Sequence, residues 1–313
     1  MINIDETDKQ IIDHLRQDGR ATNRKLAKLA GISESAIANR IRRLIDTQTI
    51  KFTVQEDLYA RGLAFLAWVD LYVRGATAAS VAEAASEIPN VITSTIYSTD
   101  PSVALWVAAP NPADIRDVLQ EQIPMVTGVQ RLESMIGLDI VKYQSEFSPF
   151  ENMPLSDAGL PKGTARERVV NLLKRDSRMS NYEIADRLGI TEGTVRHHIR
   201  KLVSNREMRI GVVINPAVYG YADAVQFRLS VEPKRITEAC NLLRKREEVG
   251  MVAHVAGRYN LTGFVHTSSS ASSASFFDEM FSQMNYINEA SLSSSIKVCR
   301  HNYNWVRITS DRN

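Results

Sequence analysis

The chain has 313 residues, of which 44% are hydrophobic and 24% are charged, with two cysteines and a formal net charge of +2. This composition is typical of a globular protein with enough apolar material for two or three domain cores. No apolar run reaches the roughly 18 residues that a membrane span needs, and the acidic N-terminus lacks the apolar stretch of a secretion signal. Neither cysteine lies in a Cys-x-x-Cys pair. We therefore expect a cytoplasmic protein with no membrane contact, bound metal or cofactor.

Charge is distributed unevenly along the chain. Residues 1–51 contain 10 Lys or Arg and 7 Asp or Glu, and residues 162–210 contain 12 and 6. Residues 52–147, between these basic segments, contain 5 Lys or Arg and 12 Asp or Glu. Clustered positive charge attracts a phosphate backbone, whereas the acidic segment should stay away from it.

The first basic segment has the pattern of a helix-turn-helix. Helices are predicted over residues 5–17, 22–30 and 33–46. Gly31 is placed to end the second helix in a left-handed turn, and Ser33 is placed to cap the third. Ile37, Ile41 and Leu44 share one face of the third helix at about 100° per residue. In a helix-turn-helix, the second helix of the motif enters the major groove of DNA.

A second group of predicted elements follows, in the order β-α-β-β-α-β. The strands are predicted over 64–73, 91–97, 102–108 and 129–142, and the helices over 77–87 and 111–122. This order is that of the ferredoxin-like unit, an antiparallel sheet with helices on one face. The other face is apolar, with Trp68 and Trp106, so we expect it to meet another subunit or domain. Residues 50–54 are predicted to form a short wing or connector.

The chain contains this arrangement twice. A shift of 158 residues aligns the two copies without a gap over nearly all their length, placing Gly31 on Gly189 and Gly62 on Gly220. A period of this length indicates a duplicated module. In the second copy, the serine-rich run 267–275 is predicted to be a flexible loop.

We therefore predict an α+β protein with two copies of a winged helix-turn-helix domain followed by a ferredoxin-like βαββαβ effector or assembly domain. The predicted domains cover 1–50 and 51–147 in the first copy, and 164–209 and 210–313 in the second. Residues 148–163 contain three prolines and are predicted to be the linker.

The outward faces of the two recognition helices carry polar and basic residues suited to DNA. The candidate DNA-binding residues are Ser33, Ser35, Asn39, Arg42 and Arg43 in the first copy, and Thr191, Thr194, Arg196, His197, Arg200 and Lys201 in the second. Arginine and lysine suit phosphates or guanine edges, and the smaller polar groups can read bases. His197 and His198 point about 100° apart on a helix, so they are not expected to share a metal ion.

Several motifs resemble the Lrp/AsnC, or feast/famine, family of transcription regulators. They include Asp8-x-x-Ile11-Ile12-x-x-Leu15-x-x-Asp18-Gly19-Arg20 and Leu26-Ala27-x-Leu29-Ala30-Gly31-Ile32-Ser33. The resemblance implies a sequence-specific regulator that binds double-stranded DNA as a homo-dimer or higher homo-oligomer through the ferredoxin-like sheets. The two copies could pair within one chain or between chains, and the sequence leaves both arrangements open.

The resemblance also implies a small-molecule effector, an amino acid or another metabolite, near a Gly-x-x-Asp signature between the second and third strands. The second copy has Gly257-Arg258-Tyr259-Asn260 there, with an amide in place of the acid, and the first copy matches at neither end. These four residues are the candidate effector site. The alternative is a simple turn with Gly257 at a positive φ.

Two other functions stay open. Sirohaem decarboxylases resemble the same architecture and rely on a His- and Arg-rich pocket in the ferredoxin-like half, where His254 and Arg258 lie here. An architectural DNA binder would have no effector at all. The sequence has no Gly-rich phosphate loop, Gly-x-Ser-x-Gly elbow or His-Glu-x-x-His motif, so we predict no catalytic residues and no enzyme activity.

Overall fold

A computed structural model describes residues 4–148, 150 and 163–308. The described residues form two compact units, and each unit takes segments from both copies of the repeat. The first unit contains the described residues of 4–57, 145–218 and 303–308, and the second contains 58–144 and 219–302. The predicted linker at 148–163 falls almost wholly outside the described residues.

The first unit consists of the two helix-turn-helix segments and three short strands. Its helices are α1 (Glu6–Gln17), α2 (Asn23–Ala30), α3 (Glu34–Asp46), α6 (Ala165–Arg175), α7 (Asn181–Leu188) and α8 (Glu192–Ser204). Its strands are β1 (Ile50–Asp57), β6 (Met208–Ile214) and β11 (Trp305–Val306). The predicted helices are thereby confirmed in both copies, with ends that differ by at most one residue.

Local sequence explains where the recognition helices α3 and α8 begin. Gly31 and Gly189 end the preceding helices in the left-handed conformation, with φ of 68° and 64°. Ser33 accepts a hydrogen bond from the backbone N–H of Ala36, and Thr191 accepts one from Thr194, at 3.2 Å and 3.1 Å. Each hydroxyl satisfies an N–H that the first turn of a helix leaves without a partner.

The connector strands of the two copies pair with each other. β1 and β6 are antiparallel, and Thr53 lies opposite Gly211, the residue at the equivalent position of the other copy. Residues 50–54, predicted as an extended wing or connector, are part of the strand β1, and the sequence did not predict that the partner of this strand is the equivalent strand of the other copy. Both connector strands also belong to the helix-turn-helix unit, whereas the prediction assigned 51–57 and 210–214 to the ferredoxin-like domains.

The second unit contains the two β-α-β-β-α-β segments. The strands of the first copy are β2 (Phe65–Val73), β3 (Val91–Tyr97), β4 (Val103–Ala109) and β5 (Val129–Tyr143), and its helices are α4 (Ala78–Ser86) and α5 (Pro112–Asp117). The strands of the second copy are β7 (Asp223–Val231), β8 (Val249–Ala256), β9 (Leu261–Thr267) and β10 (Ile287–His301), and its helices are α9 (Ile236–Lys245) and α10 (Ser270–Gln283).

These eight strands form one closed barrel in the order β10-β3-β4-β2-β5-β8-β9-β7. The sequence predicted two ferredoxin-like domains but not the closure of their strands into one barrel. The closure arises because β5 pairs with β8 and β10 pairs with β3, so each copy covers the free strand edges of the other. The apolar face predicted to meet another subunit or domain meets the other copy of the same chain: the Trp106 ring packs on the Phe264 ring, with centroids 6.2 Å apart.

The serine-rich run at 267–275 is not a loop, and that prediction is wrong. Thr267 ends β9, Ser269 caps α10 by accepting a hydrogen bond from Ser272, and Ser270 begins the helix. Serines therefore supply both the cap and the first turns, and buried Phe276, Phe277 and Met280 hold the helix on its core. Each helix that the structure describes is too short or too polar to span a lipid bilayer.

Candidate nucleic-acid interface

The two recognition helices present most of the predicted DNA-binding side chains to solvent. The exposed residues are Ser33, Ser35, Asn39, Arg42, Arg43, Thr191, Arg196, His197, Arg200 and Lys201, and Thr194 is half-buried. The hydroxyls of Ser33 and Ser35 lie 3.0 Å apart, and those of Thr191 and Thr194 lie 2.9 Å apart. Ser33 and Thr191 already cap their helices, while Asn39 and His197 are exposed on the outward faces.

An acidic residue buried under the first recognition helix holds one of its predicted DNA-binding arginines. Asp8 on α1 is fully buried, and the guanidinium groups of Arg40 and Arg43 both form ion pairs with it. Arg40 also donates to Asp5 at 2.7 Å. A buried carboxylate needs such partners, because losing its hydration is costly. Arg43 therefore has a structural role that the sequence analysis missed, while the exposed Arg42 forms no ion pair with any described residue.

The second copy has a positive charge at the position where the first copy has the negative charge of Asp8. Arg166 occupies the position equivalent to Asp8 and pairs with Glu207, and His198 occupies the position equivalent to Arg40. Partial burial, reinforced by the positive charges around it, lowers the pKa of His198. In the described part of the chain no acid pairs with Arg200 or Lys201. The second recognition helix therefore keeps more uncompensated positive charge than the first.

Arg196 on α8 pairs with an acid of its own helix. Its guanidinium contacts the carboxylate of Glu192 one turn earlier at 2.9 Å, and both side chains are about half exposed. Such exposed pairs are weak and exchange readily for other partners. Arg196 can therefore still turn to a phosphate.

Two equivalent arginines join the helix-turn-helix segments to each other. Arg20 donates to the backbone carbonyl of Met179 at 2.7 Å, and to the side-chain oxygen of Asn181 at 3.0 Å. Arg178, the equivalent residue of the second copy, donates to the carbonyl of Ala21 at 3.2 Å. These reciprocal contacts have the form of a twofold-symmetric interface, here made within one chain.

The candidate effector loop lies between β8 and β9, and its polar groups have partners within the chain. Arg258 pairs with Glu289 at 2.6 Å, and the Tyr259 hydroxyl donates to the same carboxylate at 3.0 Å. The Asn260 amide both accepts from the N–H of Val231 and donates to its carbonyl, at 2.9 Å and 2.7 Å. An aspartate could only accept, so the amide suits this position better than the acid of the family signature.

Gly257 has a negative φ, which overturns the alternative explanation of this glycine. A Cβ atom on Gly257 would lie 3.0 Å from the backbone oxygen of Ser134 and 3.1 Å from the Met135 side chain. The glycine is needed for close packing against β5. Among the described residues, no group of three or more His, Cys, Asp or Glu side chains could hold a metal ion.

Comparisons with known proteins agree with this geometry. An AsnC-type helix-turn-helix domain model matches residues 4–45, and a winged helix-turn-helix DNA-binding model matches residues 164–205. HTH-type transcriptional regulator FL11 of Pyrococcus horikoshii is 32% identical over 146 residues, which are 46% of this chain and 95% of that protein. Its counterpart from Pyrococcus furiosus is 29% identical over 146 residues, again 46% of this chain and 95% of that protein.

Solved structures of one protein match nearly the whole chain. The siroheme decarboxylase NirDL has a TM-score of 0.64 and 17% identity, covering 95% of this chain and 93% of its own. At that identity the likeness concerns the fold.

The fold and the two exposed recognition helices define a DNA-binding protein of the helix-turn-helix class. The matches to the helix-turn-helix models and to the Pyrococcus regulators make the assignment more specific. The chain belongs to the Lrp/AsnC family of transcriptional regulators, and it carries the family's module twice.

Proposed function

We propose that one chain of this regulator binds one DNA operator through two unlike recognition helices. The observation that carries the proposal is the reciprocal packing of Arg20 and Arg178, which pairs the two helix-turn-helix segments of a single chain. A family member with one module per chain needs two chains for such a pair, and both helices are then identical. Here α3 and α8 differ on their outward faces, so the two half-sites should differ in sequence.

The two helices would contribute unequally. Arg42 in the first copy, and Arg200 and Lys201 in the second, would contact phosphates or guanine edges, with Asn39 and His197 reading bases. Because Asp8 compensates Arg40 and Arg43, α3 would contribute less electrostatic attraction than α8. We propose that α8 supplies more of the salt-dependent affinity and α3 more of the base discrimination.

Selection of bound sequences from a random duplex pool tests this proposal with the full chain. We expect an operator whose two half-sites differ in sequence and face each other at a constant spacing. Recovery of a perfect palindrome would contradict the pairing of unlike helices. Absence of any enriched sequence would contradict sequence-specific regulation and favour an architectural DNA binder.

A metabolite effector remains part of the proposal, at the loop of Gly257, Arg258, Tyr259 and Asn260. A ligand carboxylate would have to compete with Glu289 for Arg258. Titration of the chain–operator complex with the common amino acids tests this site. Operator affinity that no amino acid changes would favour regulation without such an effector.

We further propose that each β-α-β-β-α-β segment is a ferredoxin-like unit and that the chain acts in the cytoplasm without catalysing a reaction. Association of whole chains into homo-oligomers stays a prediction. The match of the whole fold to the siroheme decarboxylase NirDL favours one enzymatic alternative. Purification with a bound coloured tetrapyrrole would support that alternative, and tight salt-dependent binding to duplex DNA with no tetrapyrrole uptake would support the regulator.

A further inference from the structure

The barrel holds a buried ion pair between equivalent residues of the two copies. Asp70 on β2 and Arg228 on β7 are 158 residues apart, and their side chains are 5% and 1% exposed. The guanidinium lies 2.5 Å from the carboxylate and also donates to the hydroxyl of Ser293 at 3.3 Å. Trp106 and Phe264, a second pair of equivalent residues, also pack together. Equivalent positions therefore face each other inside the barrel, as they would across the axis of a symmetric dimer.

Other ion pairs between the copies have the same arrangement, with the acid in the first copy and the base in the second. In the barrel unit, Glu133 lies 3.8 Å from Arg258. In the helix-turn-helix unit, the pairs are Glu56 with Lys174, Asp57 with Arg307, and Glu146 with Arg209. In all five pairs the first copy supplies the acid and the second copy supplies the base.

We infer that the first copy recognises the second copy by charge, and that this complementarity excludes pairing between like copies. The partner that this surface fits is thus a second copy of the module, from the same chain or exchanged between two chains. Complementary residues at equivalent positions cannot be satisfied in a symmetric pair, which is how an interface can discriminate against a wrong partner.

A pair made of two second copies would have none of the five ion pairs, because the second copy lacks all five acids. The residues at positions equivalent to the five acids are Ile214, Asn215, Arg228, Ser291 and Asn304. At the centre of the barrel, Arg228 would face another Arg228. Two buried like charges without a counter-ion are strongly unfavourable.

Pairing of two first copies would be disfavoured mainly by the like charges that it brings together in the barrel. Asp70 would face Asp70, and Glu133 would approach Asp100, which is the residue equivalent to Arg258. In the helix-turn-helix unit, Arg16 and Lys51 stand at the positions of Lys174 and Arg209, so some attraction would remain there. Asp70 is therefore the residue that decides against this pairing.

The ion pair acts on selectivity more than on stability. Burial raises the pKa of the Asp70 carboxyl, and Arg228 only partly opposes that rise. Burying these two charges therefore costs desolvation free energy, as it generally does for buried ion pairs. An apolar pair of similar size would fill the same space without that cost, but it would not distinguish one copy from the other.

The test uses the full chain with a protease site inserted between residues 150 and 163 and cut after folding. The cut protein is unfolded in denaturant and refolded, and native mass spectrometry counts the three possible pairs. We expect first–second pairs to exceed each like pair by at least about tenfold, which is about five times the random ratio and corresponds to a preference of about 1 kcal/mol. Random association would give a ratio of about two and would overturn the inference.

Matched variants assign the selectivity to Asp70. Asp70→Leu with Arg228→Met, in the same cut chain, should keep the barrel folded while pairs of two first copies increase at least about fivefold. An unchanged distribution would contradict the role of this ion pair.

A measurement on the uncut chain covers the case in which the cut protein does not refold. Asp70→Arg alone and Arg228→Asp alone should lower the thermal midpoint, because each sets like charges face to face. The swap of both charges should recover most of the loss. A swap that is no more stable than the single variants would contradict charge recognition at this position.

Discussion

Arg43 forms an ion pair with Asp8, whose carboxylate is fully buried beneath the first recognition helix. Its sequence neighbour Arg42 is exposed and pairs with no acid that the structure describes. Two adjacent arginines of one helix therefore have different surroundings, and we predict different tasks for them. Arg43 helps to hold α3 on α1, and Arg42 is predicted to contact DNA.

Single substitutions should separate these tasks. Arg43→Ala should lower the stability of the helix-turn-helix unit by about 1 kcal/mol, a modest loss because the side chain is half exposed and Arg40 still pairs with Asp8. Arg42→Ala should leave the melting temperature unchanged and weaken operator binding about tenfold. Thermal denaturation and gel-shift titration of both variants measure the difference. Equal melting temperatures for the two variants would contradict the structural role of Arg43.

The reciprocal arginines predict cooperation between half-sites. Arg20→Ala with Arg178→Ala removes three hydrogen bonds between the helix-turn-helix segments. We expect about a tenfold loss of affinity for a full operator, because the two recognition helices are no longer held for simultaneous binding. Affinity for a duplex with a single half-site serves as the control and should stay the same. A parallel loss on both duplexes would instead indicate that the arginines contact DNA themselves.

Two histidines make the barrel unit sensitive to acid. Burial lowers the pKa of His266 and His301 to about 4, and the ring of His301 is hydrogen-bonded to Thr93 at 2.9 Å. Both pKa values lie below the unfolded value of about 6.5, so the unfolded chain binds more protons in this range. Stability should be fully present above pH 6.5 and should fall as the pH approaches 4. His266→Phe should flatten this dependence in urea denaturation series, and an equally steep dependence would contradict the assignment.

Restoring the acid of the family signature at position 260 should lower the stability of the protein. Asn260→Asp replaces the amide NH₂ that donates to Val231 with a carboxylate oxygen that cannot donate. We expect a loss of about 1–3 kcal/mol, because the carbonyl of Val231 loses its partner and faces a negative charge. Asn260→Ala is the matched control, which removes the bonds without adding charge and should cost less. An Asp variant as stable as the original chain would show that this amide is not structural.

Sequence periodicity located the elements well because the signals are local. The apolar spacing of Ile37, Ile41 and Leu44 and the caps at Ser33 and Thr191 act within a few residues, and the structure has α3 and α8 at those places. The serine-rich run misled the prediction for the same reason. Low-complexity composition suggested a loop, whereas the tertiary contacts of Phe276 and Phe277 determine the helix.

Pairings between distant residues could not be predicted in this way. Closure of the barrel depends on strand edges, β5 with β8 and β10 with β3, whose hydrogen bonds leave no mark in the local pattern. Asp8 looked like an ordinary polar residue on a helix, although its place beside Ile11, Ile12 and Leu15 was a usable signal of burial. The Asp70–Arg228 pair was visible as opposite charges at equivalent positions of the repeat, but only once the copies were known to face each other.

Footprinting of the full chain on its selected operator tests the central claim most directly, because α3 and α8 belong to one DNA-binding unit. Arg42→Ala and Arg200→Ala are matched variants, since these residues occupy equivalent positions on the two recognition helices. We predict that Arg42→Ala weakens protection in one half-site and that Arg200→Ala weakens it in the other. Equal weakening of both half-sites by either variant would contradict the account, because each half-site would then be read by the same helix.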